Sequence, residues 1–151
     1  MENSNATKNK ELVRTFYDSF EKKNYAETKK LLSDDFTLSI NISPKKLNRD
    51  EAIETQKRLN TAFPDLKFTF KKQFTDGEYV ISQLSSNGTH KGDFRGISPS
   101  GKNITINSIA IQRIVNNKIV EGTSQIDTLG LLQQIGVVPM SLSELAEHQT
   151  H

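Results

Sequence analysis

The chain has 151 residues and a net charge of +2, from 20 Lys and Arg against 18 Asp and Glu, with no cysteine. This length suits a single domain with one sizeable core. The near balance of charge, spread in pairs such as Lys29-Lys30 and Lys71-Lys72 rather than in a stripe, argues against a nucleic-acid partner. The missing cysteines exclude disulfides, thiolate catalysis and Cys-ligated metal.

The first ten residues are polar, and no apolar run approaches the roughly 20 residues that span a bilayer, so the expectation is a cytoplasmic protein without a membrane partner. Residues 1–8 read as a flexible leader, 9–137 as the domain and 138–151 as a tail. Leu12, Val13, Phe16, Tyr17 and Phe20 fall on one helical face. A second, short helix starts near Asn24, with Glu27 in the capping-box position, and brings in Leu31 and Leu32. Residues 36–40 alternate as a strand. After a loop over 44–47, Asn48 and Glu51 announce a third helix with Ala52, Ile53, Gln56, Leu59 and Phe63 inward, stopped by Pro64.

The second half changes character. Leu66, Phe68, Phe70 and Phe74 share one parity of a half-buried strand, and Asp76-Gly77 turns the chain. Strands follow over 78–91, 104–115 and 118–125, the last two joined by Asn116-Asn117. A helix carrying Leu129, Leu131, Leu132 and Ile135 ends at Gly136, and Ser141 with Glu144 would cap one more turn. Helices gathered apart from a meander of strands give an α+β fold. The apolar parity changes between Ile106 and Ile109, which predicts a bulge there. A bent sheet with helices across its mouth makes a cone with a central pocket. The 104–114 strand, apolar on both parities, fits a sheet covered on both sides, with a partner subunit on the outside.

Asp127 ends the last strand and shares parity with Glu121, Thr123 and Gln125. If that parity faces the pocket, burial among apolar groups suits Asp127 to acid–base work. It also directly precedes a helix, and spacing alone favours an N-cap. His90, beside Thr89 and Gly92, either bonds a substrate oxygen or water, or ties down the adjacent loop. His90 and Asp93 do not make a metal site by themselves, and no metal is expected. Gly92, Gly96 and Gly101 lead into a strand rather than a helix and match no phosphate-loop pattern. Phe16, Phe20, Phe36 and Phe63 are core residues some of which would also line a pocket wall.

Several segments carry a resemblance: Phe63-Pro64-Asp65-Leu66; Gly88-Thr89-His90-Lys91-Gly92-Asp93-Phe94-Arg95-Gly96; Lys118-Ile119-Val120-Glu121; and Leu129-Gly130-Leu131-Leu132-Gln133-Gln134-Ile135-Gly136. Over about residues 9–137 the chain resembles the SnoaL-like polyketide cyclases, or ester cyclases, of the NTF2-like superfamily. The resemblance implies a curved antiparallel sheet wrapped around the N-terminal helices, and frequently a dimer through the sheet. It also implies ring closure on a carbonyl-bearing small molecule without cofactor. In that mechanism Asp127 would be the acid–base residue, with His90, Thr123 and Gln125 positioning oxygens and Phe94 joining the pocket wall. Many relatives follow the Glu of the last strand with His-Trp where this chain has Gly122-Thr123, which implies a larger or wetter pocket there. Three functions follow: an acid–base enzyme, a small-molecule binder or carrier, and an interaction module.

Overall fold

The computed structural model describes residues 3–139, with Ser143 and Ala146 beyond them; the cap expected from Ser141 and Glu144 lies outside the described residues. Helix α1 runs Ser4–Glu21, α2 Tyr25–Leu31 and α3 Arg49–Ala62, and α4 follows the sheet at Thr128–Gln134. The strands are β1 Leu32–Ile40, β2 Leu47–Asn48, β3 Lys67–Asp76, β4 Tyr79–Thr89, β5 Asn103–Val115 and β6 Lys118–Ile126. They form one curved, open sheet in the order β2-β1-β6-β5-β4-β3, antiparallel except where β1 runs parallel to β6. Among the described residues these four helices on the sheet make an α+β cone. Among the described residues no helix is long and apolar enough to cross a membrane.

The leader expected over residues 1–8 is a correction: α1 already starts at Ser4, because the Asn3 side chain accepts the Ala6 N–H at 2.8 Å. Val13, Phe16 and Phe20 turn inward from α1, each worth about 1.5–3 kcal/mol on burial. Ser19 and Thr28, both buried, share a 2.6 Å hydrogen bond that joins α1 to α2. Asn48 and Glu51 form the full capping box of α3. Buried Asn60 of α3 donates to the Phe20 carbonyl and to the Tyr25 hydroxyl, locking the three helices together.

Two-residue turns set the register of the meander. Gly77 opens the β3–β4 turn at φ +58°, and Asn116 and Asn117 make the β5–β6 turn with φ 51° and 59°, a type I′ pair. The curvature comes from irregularities other than the one expected. β5 alternates without a break through Ile104, Ile106, Ser108, Ala110, Gln112 and Ile114 on its inner side, so no bulge lies between Ile106 and Ile109. Breaks fall between Phe70 and Lys72 on β3, beside Val120 on β6, and between Leu32 and Thr37 on β1. The first reverses parity along β3, so Phe74, expected inward with Phe68 and Phe70, is 59% exposed on the outside.

Candidate functional site

A cavity of about 130 Å³ lies between two packed clusters. Phe16, Tyr17, Phe20 and Phe36 close it from one side, and Phe63, Phe94, Ile104 and Leu131 from the other. The sheet supplies its floor, with Ser86 from β4, Ile106, Ser108 and Gln112 from β5, and Gly122, Ser124 and Ile126 from β6. Phe16, Phe20, Phe36, Phe63 and Phe94 all line this space.

Phe94 reaches it through a local device. Phe94 and Ile97 exchange backbone hydrogen bonds across Arg95 and Gly96, both at positive φ (49° and 85°). The Asp93 carboxylate accepts the Gly96 N–H at 3.0 Å. This miniature hairpin sets the Phe94 ring 5.9 Å from Phe63. Gly92 makes the approach possible, since a Cβ there would stand 2.2 Å from the Thr61 carbonyl oxygen. Asp65 fastens the preceding strand by accepting both the N–H and the hydroxyl of Thr89, at 2.7 and 2.8 Å. Those bonds hold its carboxyl below the usual carboxylate range.

His90 is fully buried but does not line the cavity; Phe63 stands between, its ring 5.4 Å from the imidazole. The Ser100 N–H donates to Nδ1 at 3.1 Å, which assigns the proton of the neutral ring to Nε2. Nε2 itself is buried without a partner. Of the two expectations for His90, its contacts match the loop tie.

β6 requires a larger correction. Thr123 and Gln125 are exposed on the outer face, and the inward set is Gly122, Ser124 and Ile126. The extra residue at Val120, where Ile114 pairs with Ile119 but Arg113 with Glu121, flips the parity that buried Ile119 begins. Asp127 likewise is exposed. Its carboxylate caps α4 by accepting the Gly130 N–H at 2.9 Å. Any Cβ at Gly130 would lie 2.2 Å from that carboxylate, so the glycine makes the cap possible. The flip also changes what Gly122-Thr123 means: Gly122 faces the cavity and Thr123 faces away. An added Cβ at 122 would meet the ends of the Leu38 and Phe36 side chains at 3.3 and 3.6 Å, so a side chain there fits closely against both.

Among the described residues no charged side chain lines the cavity. Its one titratable group is Tyr17, whose hydroxyl accepts from Gln112 Nε2 at 3.3 Å and also bonds Ser124. Burial pushes the Tyr17 phenol up, against the opposing effect of those hydrogen bonds, so it stays protonated at neutral pH. Parity misread on β6 is why Ser124 escaped the sequence, and Ser108 and Gln112 were hidden by the isoleucines that alternate with them.

Solved structures show the same fold. AclR from Streptomyces galilaeus, a candidate hydroxylase, superposes with a TM-score of 0.82 at 21% identity, covering 96% of this chain and 91% of its own. A candidate SnoaL-like polyketide cyclase from Jannaschia sp. CCS1 gives 0.83 at 20% identity, covering 92% and 99%. A candidate polyketide cyclase from Acidithiobacillus ferrooxidans gives 0.77 at 26% identity, covering 89% and 97%. No curated protein matches. The sequence model of the SnoaL-like polyketide cyclases matches residues 10–135, most of the domain and every cavity-lining residue, and the chain therefore belongs to that family.

Proposed function

We propose that this protein binds a small, largely apolar molecule inside the cone and holds it without a charged acid–base residue. The observation that carries this reading is the cavity wall, which is built of aromatic and aliphatic side chains with a few neutral polar groups. A neutral lining favours an uncharged ligand, because a buried ion without a partner costs several kcal/mol or more. The protonated Tyr17 hydroxyl is available as a donor to a ligand oxygen.

Cofactor-independent ring closure on a carbonyl compound is the second reading. Family membership favours it, as does the position of Asp127 between Ile126 and the helix bearing Leu131, both at the cavity wall. Here Asp127 would leave its cap to take and return a proton, and Tyr17 would donate to the developing enolate oxygen. His90 would then act through Phe63 and the loop, as a positioning residue.

The protein also pairs with itself through the sheet in this proposal. Phe74, Ile81 and Ile111 lie in register across β3, β4 and β5 on the outer face, with exposed Ile109 beside them.

Titration with the neutral fluorophore N-phenyl-1-naphthylamine tests the binding reading. Saturable one-to-one binding is expected, abolished by Gly122→Trp in protein that keeps its circular dichroism spectrum. No binding to the unaltered protein overturns it. Asp127→Asn leaves that affinity unchanged, whereas under the second reading it abolishes turnover of a carbonyl substrate.

A further inference from the structure

The loop over residues 91–101 carries Phe94 to the cavity wall, and its two ends are fixed by different chemistry. At the first end, the Ala62 carbonyl that closes α3 accepts the N–H groups of Lys91 and Gly92, at 3.0 and 3.1 Å. Those bonds are backbone to backbone and do not titrate. At the second end, His90 does the holding. Its N–H donates to the Lys102 carbonyl and its carbonyl accepts the Gly101 N–H, both at 2.9 Å. Its ring Nδ1 faces Ser100, taking the N–H at 3.1 Å with the hydroxyl at 3.0 Å. Gly101, at φ +73°, gives that end a hinge.

The ring is fully buried, with Phe63 beside it and Nε2 without a partner. A neutral imidazole fits, with its single proton on Nε2 and Nδ1 as acceptor. An imidazolium does not. It would set a donor against the Ser100 N–H and bury a charge with Nε2–H unmet. Turning the Ser100 oxygen toward Nδ1–H is no rescue, because that oxygen already accepts the Lys102 N–H at 3.3 Å and the Ser100 N–H is still stranded. Among the described residues no carboxylate bonds the ring. Asp65, on the α3–β3 connection, is taken up by Thr89, and Asp93 in the loop by Gly96. The other charged groups around the loop are cations: Lys91, Lys102 just before β5, and Arg95, whose guanidinium turns to the Ile42 carbonyl. On α3, Lys57 lies over the Tyr25 ring and Arg58 is exposed, and α4 has no ionisable side chain.

We infer that His90 is a proton-operated latch: neutral, it holds the 98–101 end of the loop down; protonated, it releases that end and loosens Phe94 on the cavity wall. The closed loop disfavours the extra proton, so closure is complete at neutral pH and weakens as pH falls through the titration of the ring. The latch acts on the wall whatever the cone contains, so it does not rest on the ligand-binding reading.

The test is amide hydrogen exchange by NMR from about pH 7.5 to about pH 5, with the ring nitrogens of His90 followed in the same samples. Protection of Ser100 and Gly101, corrected for the intrinsic pH dependence of exchange, is expected to fall about tenfold with the midpoint of the ring. Protection of Asn24, whose N–H donates to the Ser19 carbonyl between α1 and α2, stays level. Asp93→Asn keeps an acceptor for Gly96 and leaves the fall in place. His90→Asn keeps an acceptor near the Nδ1 position without a titrating ring, and abolishes the fall. Protection of Ser100 and Gly101 that stays level, whether or not the ring titrates, overturns the inference. So does a fall whose midpoint differs from the ring's, or one that survives in His90→Asn. The two midpoints are read in the unaltered chain, so the test is decided even where His90→Asn does not fold.

Discussion

On the face that looks into the cavity, β5 presents Ser108 and Gln112 among its aliphatic residues; on the face that looks away, it presents Ile109 and Ile111, 52% and 39% exposed. The same inversion extends to its neighbours, with Ser82, Ser86 and Ser124 inward and Phe74 outward. A sheet that only needed a core would do the reverse, alternating apolar in and polar out. Polar groups inside are useful where something other than the protein meets them, and apolar groups outside are useful where something covers them. In the function proposed above, the two faces would differ in partner rather than in degree of order: a small molecule on one, a second copy of the chain on the other.

The sharpest way to break this comparison is a matched pair on β5. Ile114→Ala, on the inner face in the packed core, is expected to cost about 2–5 kcal/mol in urea unfolding. Ile111→Ala, on the outer face, should stay within about 0.5 kcal/mol at dilutions that hold the chain monomeric. Equal costs would mean that the faces are misassigned. Next in size is Gly122→His, which forces an imidazole against Leu38 and Phe36 and should cost about 1–3 kcal/mol by the same measurement. Asp127→Ala removes the cap of α4 and should cost about 1 kcal/mol, while Asp127→Asn, a competent cap, costs far less. The Ile109→Lys/Ile111→Lys double variant leaves unfolding nearly unchanged but converts a dimer to a monomer in sedimentation, and an unaltered chain that sediments as a monomer refutes the pairing. The smallest effect is that of Asp65. Its carboxyl is held low by Thr89, so its contribution is present above the ordinary carboxylate pKa of about 3.9 and is lost as pH falls through the lower folded-state value. The stability gap between the unaltered protein and Asp65→Asn should accordingly narrow in acid.

Much of the fold is legible in the sequence because its signals are local. The Asn48–Glu51 box, the Asp76-Gly77 and Asn116-Asn117 turns and the α1 face each depend on residues a few positions apart. The family motifs also have physical reasons in the structure: Asp65 meets Thr89, Gly92 clears Thr61, and Gly130 clears Asp127. The site was harder to read because it depends on parity, and one extra residue reverses parity for the rest of a strand. Val120 is that residue on β6, and nothing in Lys118–Glu121 distinguishes it from its neighbours. The reversal carried Thr123 and Gln125 out and brought Ser124 in, and the same kind of break on β3 turned Phe74 outward. Isoleucines on both parities of β5 also suggested a bulge between Ile106 and Ile109, where the register with β4 is unbroken.

The side chain of Gln134 accepts the Thr105 N–H at 2.8 Å and donates to the Thr105 carbonyl at 2.9 Å. Thr105 lies beyond the last β6 partner of β5, so one amide completes the ladder where the strand has run out. Because α4 also carries Leu131 of the cavity wall, the Thr105 amide proton can exchange with solvent only when that clasp releases. Its exchange rate is then a clock for the opening of the cone at this end, readable without knowing what the cone contains.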